Sequence, residues 1–449
     1  MFELPKTLKS EWANEEGRRL KEGKRRYLHF DFKISSLDKN ISRNVWDPSL
    51  VARHSFYPLI CRAKKYRKYK RDPVTGVRTI TPKLRPISYA AHFDSIIYSW
   101  YGYILSYFYE KKLSFFEISQ NVTGYRKLDK KSNLDFAYDI IRYITKQDSC
   151  GVVCVDLEKF FESLDHKILK QNWKKVLDVE ELPDDQYAVY KNITRYSSIN
   201  YKDLLAALGL DKKKKRELAK IKRFTSPSVF RSIRSGTKGI INENVASGTT
   251  GIPQGSTISA ILSNLYMIDF DEDVSKKIKG LGGVYQRYSD DIIAVCPSDS
   301  IKDIEELISK TIEKVKLKIN TSKTERLLFR RDANGQGIFT DAVNGKASRL
   351  LYLGVYFDGE KILLRHSGIA NFQRKMIRTV KKMSKKAKRK KRPLPKKQIL
   401  TRFFYSGKAN YLSYARRAAR ILDSVAIREQ VAPSKVMRKI KKTIARFPV

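Results

Sequence analysis

The sequence predicts an α/β chain that closes in an all-helical basic region, and two kinds of segment lead to that reading. Short apolar runs that meet acids, over 151–157 and 284–295, read as buried strands set between stretches of helical period. From about residue 366 onward, apolar residues keep helical spacing among closely placed lysines and arginines. A length of 449 residues is enough for two or three domains. Residues 1–75 read as a basic, aromatic extension, 172–245 as the stretch with least pattern, and 366–449 as a helical, basic segment.

Charge narrows the partners. Lys and Arg number 92 against 47 Asp and Glu, a formal net charge of +45 with a pI near 10.0. An excess of that size calls for a polyanion, and nucleic acid is the natural one. No uninterrupted apolar run approaches the roughly 20 residues that span a bilayer. The start, Met1-Phe2-Glu3-Leu4-Pro5-Lys6, lacks an apolar signal core, so a cytosolic protein without a membrane role is expected. The cysteines Cys61, Cys150, Cys154 and Cys296 and the five histidines show no metal-ligand spacing. Neither a zinc site nor a disulfide framework is expected.

Taken in order, residues 62–71 interleave basic side chains with tyrosine. That pattern suits phosphate pairing and base stacking, or a solvated charged helix. Asp72-Pro73-Val74-Thr75-Gly76 reads as a turn, 77–81 as a strand, and Lys83-Leu84-Arg85-Pro86-Ile87 as extended chain, because Pro86 disfavours helix at Arg85. Helices are expected over 93–113 and 132–146, and a buried strand over 151–157 places Asp156 at its exit. Gly251-Ile252-Pro253-Gln254-Gly255-Ser256 is a glycine-flanked loop opening into an apolar helix, built for close approach of backbone to a phosphate or base. Asp290 and Asp291 cap a strand–turn–strand, and an amphipathic helix follows over 299–317. Asn320-Thr321-Ser322-Lys323-Thr324 is a polar turn, and 349–357 reads as one strand with a hairpin turn near Asp358-Gly359.

Two adjacent carboxylates repel, and desolvation raises their pKa values unless a cation neutralises them. Taken alone, an Asp-Asp pair is most often a solvated turn. A third acid at a strand exit, Asp156, changes that reading if both lie in one sheet. Three convergent carboxylates can hold two Mg²⁺ ions across an in-line displacement on a nucleotide.

The ordered set Lys83-Leu84-Arg85-Pro86-Ile87, Gly124-Tyr125-Arg126, Val155-Asp156-Leu157-Glu158-Lys159-Phe160-Phe161, Gly251-Ile252-Pro253-Gln254-Gly255-Ser256, Tyr288-Ser289-Asp290-Asp291, Asn320-Thr321-Ser322-Lys323-Thr324 and Leu351-Tyr352-Leu353-Gly354 resembles the reverse transcriptases of the group II intron, retron and abortive-infection type. The resemblance spans residues from about 80 to 360. It implies a right-hand polymerase, with fingers over 76–150, an α+β palm over 151–365 that carries a finger insertion at about 172–245, and a thumb-like basic domain over 366–449. It further implies that Asp156, Asp290, Asp291 and the Leu157 backbone carbonyl bind two Mg²⁺ ions, with Mn²⁺ as a substitute. Phe161 matches the side chain beneath the incoming sugar that excludes a 2′-hydroxyl. Gln254 and Gly255 match the loop on nucleotide and template, and Arg85 and Lys83 match triphosphate ligands. Lys323 matches the lysine that protonates departing pyrophosphate, and Leu353 and Gly354 match the primer grip. Arg126, Lys385, Lys388 and Arg389 are expected to touch nucleic acid.

The turn carries Ser289 where many relatives have Ala, and Val122-Thr123-Gly124 lies before the first acid, unlike the retron motif. With no Cys/His-rich endonuclease segment after the basic region, the chain is most similar to bacterial defence-associated reverse transcriptases. That resemblance implies cDNA synthesis from dNTPs on an associated noncoding RNA, in the bacterial cytoplasm, in antiphage defence. Retron-like or group II intron-like action and template-independent, protein-primed DNA synthesis stay open. So do an RNA-dependent RNA polymerase, against which Phe161 argues, and a noncatalytic RNA-binding protein, against which the intact acids argue.

Overall fold

The computed structural model describes residues 3–23, 27–71, 75–213, 215–218, 220–236, 240–243, 248–404 and 410–448. Along the chain the first six strands are β1 (Leu59–Arg71), β2 (Arg78–Tyr89), β3 (Ser149–Asp156), β4 (Ser197–Asn200), β5 (Ile241–Glu243) and β6 (Val284–Tyr288). They are followed by β7 (Asp291–Cys296), β8 (Glu325–Arg331), β9 (Gly337–Asp341), β10 (Leu350–Tyr352), β11 (Val355–Phe357) and β12 (Ile362–Leu364). The chain forms two compact units, one of Met1–Tyr125, Leu157–Asp273 and Lys310–Ile319, the other of Arg126–Asp156, Val274–Ser309 and Asn320–Val449. Among the described residues no helix is long and apolar enough to cross a membrane.

The first unit is organised by the helix His92–Phe115, which buries Ile96, Ile97, Trp100, Tyr101, Ile104 and Leu105 and so is apolar around most of its girth. A helix of that kind belongs inside a core. Trp12, from the helix Leu8–Lys21, packs on Trp100 with ring centroids 5.3 Å apart. The sheet of this unit runs β2-β1-β4-β5. Residues 62–71 form β1 rather than a charged helix, and strand alternation sets Arg62, Lys64 and Tyr66 on one face. β1 pairs antiparallel with β2, with Lys64 opposite Arg85 and Tyr66 opposite Lys83. Part of the expected turn between them, Asp72-Pro73-Val74, lies outside the described residues. β4 joins β1 in parallel, so part of 172–245 completes this sheet.

The second unit is built on the antiparallel sheet β6-β7-β3-β8-β9, with β3 at its centre. Both neighbours shield β3, which explains its continuous apolar run, with Val152 and Val153 fully buried. The helix Asn133–Ile144, started by a Ser132–Asp135 capping box, lays Leu134, Ala137, Ile141 and Ile144 into a core with Val152, Ile293, Val295 and Leu327. The expected single strand over 349–357 is two strands, β10 and β11. Leu353 and Gly354 take φ of 46° and 88°, two consecutive left-handed residues that turn the chain back on itself. Apolar composition runs through the turn unbroken, so periodicity alone concealed it.

The helical C-terminal region divides by what it buries. Helices Tyr411–Ile421 and Val425–Gln430 place Leu412, Ala415, Ala418, Ala419 and Ile427 in the same core as the sheet. Helices His366–Arg389, Lys396–Phe403 and Pro433–Ala445 share a separate core of Met376, Val380, Ile399, Phe403 and Ile440.

Candidate active site

The register of β3 against β7 sets Asp156 directly opposite Asp291. Facing residues of antiparallel strands lie side by side on one face. Asp290 occupies the tight turn between β6 and β7, where Ser289 has a φ of 63°, a conformation that a small side chain tolerates. Arg287, fully buried, donates from Nη1 to the Ser289 carbonyl at 3.1 Å and braces the turn from below. Behind it the Tyr352 hydroxyl donates to Gln286 Oε1 at 2.9 Å.

Electrostatics show how close the acids stand. The Asp291 carboxyl reaches solvent, yet protein packed around it and repulsion from Asp290 and Asp156 push its pKa up to about 6. Lys323 and Arg365 pull the other way. Lys323 ends the short turn Thr321–Lys323 and its ammonium pairs with Asp156 Oδ2. Asn320 reinforces that acid twice: its N–H donates to the Asp156 carbonyl at 2.8 Å, and its Nδ2 donates to Oδ2 at 3.3 Å. Glu325, opposite Cys154 on β8, is a fourth carboxyl, raised by burial and eased by Arg365; its Oε2 is buried without a hydrogen-bond partner. Burial and the charges of Glu325 and Asp291 also keep the Cys154 thiol protonated. Among the described residues no three or more His, Cys, Asp and Glu side chains form a ready-made metal cage. The site instead holds clustered carboxylate oxygens, the donor type a hard divalent ion takes, with a lysine ammonium on one of them.

The Leu353-Gly354 turn is anchored in the same unit. The Leu353 carbonyl accepts from Asn133 Nδ2 at 3.1 Å, and the Gly354 carbonyl accepts from the Arg365 N–H at 3.1 Å. Arg126 is half-buried. Lys385, Lys388 and Arg389 are exposed on the helix His366–Arg389, away from its buried Met376–Val380–Ser384–Ala387 stripe.

The other predicted residues fall in the first unit, where hydrogen bonds gather them. Leu157 pairs with Ile319 in an isolated bridge. The Ile252 N–H donates to the Phe161 carbonyl and the Gly251 N–H to the Leu164 carbonyl, both at 2.8 Å. The Ser88 N–H donates to the Gln254 carbonyl at 2.8 Å, which ties the loop to β2. Gly255 has a φ of 111°, and a Cβ there would stand 2.6 Å from the Ser88 carbonyl oxygen and 2.9 Å from Ile87 Cγ2. Only glycine fits that approach. Phe161 meets Tyr125 edge-on at 6.4 Å. Arg85 lies over the Tyr66 ring at 5.5 Å. Lys83 lies on β2, and its side chain is outside the described residues. Sequence reasoning missed Asn320, Arg287, Glu325 and Arg365; Tyr66 lies in the 62–71 stretch read as suited to base stacking or as a charged helix. Asn320 was within reach, since it opens the motif that supplied Lys323; the others had no signal beyond their neighbours.

A catalytic sheet with paired strand-end acids, followed by a helical basic region, is the architecture of a polymerase palm and its helical extension, a class of nucleotidyltransferase. Residues 213–357 match the family model described as reverse transcriptase (RNA-dependent DNA polymerase), and that stretch contains Gln254, Asp290, Asp291, Lys323 and Leu353. The match covers about a third of the chain, so that this stretch, with its acid turn, is similar to a reverse transcriptase domain. No curated protein matches it in sequence. Among solved structures it is similar to the apo telomerase of Candida tropicalis, at 11% identity and a TM-score of 0.41, covering 99% of this chain and 64% of that one. A form of that telomerase truncated from its C-terminal domain gives 10% identity and 0.37, covering 78% and 59%. The telomerase of Candida albicans in complex with a TWJ fragment of telomeric RNA gives 12% identity and 0.39, covering 97% and 68%.

Proposed function

We propose that the protein is an RNA-directed DNA polymerase that copies an RNA template, an associated noncoding RNA, into cDNA from dNTPs. The observation that carries the reading is the β3–β7 register, which sets Asp156 against Asp291 beside the Asp290 turn. Asp156, Asp290, Asp291 and the Leu157 carbonyl would hold two divalent ions, Mg²⁺ or in its place Mn²⁺, which supply charge stabilisation for the attacking and leaving oxygens. Lys323 gives its proton to the pyrophosphate leaving group. Phe161 lies under the sugar and turns away a 2′-hydroxyl. Gln254 and Gly255 position nucleotide and template through a backbone that no side chain blocks. Arg85 and Lys83 clamp the triphosphate, and Leu353 and Gly354 steady the primer end. Arg126, Lys385, Lys388 and Arg389 hold phosphates of the nucleic acid.

The biological setting follows from the subfamily resemblance: antiphage defence in the bacterial cytoplasm. The test is primer extension on a primed RNA with dNTPs or rNTPs. Replacing Asp290 and Asp291 together with Ala should lower dNTP incorporation by about 1,000-fold or more and leave RNA binding intact. Preference for rNTPs, or full synthesis by the double variant, would overturn the reading, and phage protection that survives it would remove catalysis from the defence role.

A further inference from the structure

The C-terminal bundle contains a cleft that none of the catalytic roles uses. It lies where the helix His366–Arg389 ends and the helix Pro433–Ala445 runs out, has a volume of about 780 Å³, and is lined by Lys388, Lys391, Arg392 and Lys396 together with Leu394 and Phe447. The volume is in the range of pockets that enclose a small ligand. Among the described residues none of the four cations pairs with a carboxylate. Over 366–449 there are 26 lysines and arginines against two acids, Asp423 and Glu429, and the ion pair described there joins Arg428 to Asp423 at 3.7 Å. Four cations without a carboxylate partner on one rim make an electropositive site that attracts an external anion.

The cleft also has a flat apolar face. Phe447 is half-buried, with Lys381 Nζ at 5.9 Å and Arg446 Cζ at 5.8 Å from its ring centroid. Two bonds hold the terminal segment in place: the Phe447 N–H donates to the Ile444 carbonyl at 3.0 Å, and the buried Ser384 hydroxyl donates to the Pro448 carbonyl at 3.2 Å. At the other wall Lys391 takes a φ of 48°, where glycine or asparagine is the usual occupant of a helix end. The Arg392 N–H donates to the Ala387 carbonyl at 3.0 Å and closes that end. A lysine in this conformation costs backbone energy, and Lys391 lines the cleft wall.

We infer that this cleft binds one short stretch of single-stranded RNA, with phosphates on Lys388, Lys391, Arg392 and Lys396 and an unpaired base on Phe447. A half-buried aromatic ring whose free part lies amid cations suits the recognition of single strands, since a duplex keeps its bases stacked on one another. The inference rests on nucleic acid as the partner and is independent of polymerisation.

The test measures binding of a 12-nucleotide single-stranded RNA and a blunt 12-base-pair RNA duplex to the full-length protein across a salt series. Phe447→Leu keeps the apolar packing and loses the ring, and should weaken single-strand binding about tenfold while leaving duplex binding unchanged. Lys391→Gly relieves the backbone, so it should raise the melting temperature and yet weaken single-strand binding and flatten its salt slope by about 0.7. A photo-reactive uridine in the single strand should crosslink to the Phe447 segment. Equal losses for both probes, tighter binding by Lys391→Gly, or displacement of the RNA by anionic lipid vesicles would overturn the inference. The Asp290→Ala, Asp291→Ala chain should behave as the parent does here, so a failed polymerase reading and a failed cleft give different results.

Discussion

The acid turn and the glycine loop, one in each unit, solve the problem of presenting chemistry in opposite ways. Around Asp290-Asp291 the side chains act, and they are held under mutual repulsion that Lys323 and Arg365 only partly relieve. Around Gln254-Gly255 the backbone acts, pinned to β2 and to the Phe161 turn, with the one side chain that would interfere deleted at Gly255. The first region is therefore expected to respond most to changes of charge, and the second to a single added carbon.

Substitutions can break that contrast. Lys323→Met keeps the length of the side chain and removes its charge; single-nucleotide incorporation should slow by about 100-fold in a rapid-quench assay. Phe161→Ala should raise rNTP incorporation relative to dNTP by roughly tenfold, the discrimination that a steric contact of about 1.4 kcal/mol supplies; an unchanged ratio in a competition assay would place the sugar gate elsewhere. Gly255→Ala should destabilise its loop by about 2 kcal/mol, seen as a raised KM for dNTP with charge-dependent behaviour unaltered. The smallest effect is the most diagnostic of repulsion. Folded Asp291 keeps its proton to about pH 6, while the unfolded chain loses it near 3.8. The native state thus binds more protons between those values, and without divalent metal its stability should fall as pH rises from about 4 to 6. Asp291→Asn should abolish that fall and raise stability at neutral pH by about 1 kcal/mol once solvent screening is counted, as chemical denaturation at several pH values would show.

Those same two regions explain what the sequence could and could not reveal. The strand ending at Asp156, the helix after 132 and the acid hairpin were legible because local period and turn chemistry decide them. Residues 62–71 read equally well as a charged helix because strand formation there depends on β2 and β4, partners remote in sequence. The Leu353-Gly354 break was hidden from periodicity because both flanking strands are apolar, and only the resemblance to a primer-grip hairpin marked it. Arg287 and Arg365 were beyond reach for a related reason: an arginine in a chain with 92 basic residues stands out only once its burial or its acidic neighbours are known.

The charge of the C-terminal segment has a consequence for folding as well as for binding. The smaller of its cores rests on Met376, Val380, Ile399, Phe403 and Ile440, while the surface around it carries cations at nearly every exposed turn. Like charges so crowded push the compact state outward. A polyanion that binds only the folded bundle stabilises it in proportion to the logarithm of its concentration. An RNA bound in this way would be an architectural component of this region, and nuclease treatment of the protein–RNA complex should loosen the bundle before it affects the sheet.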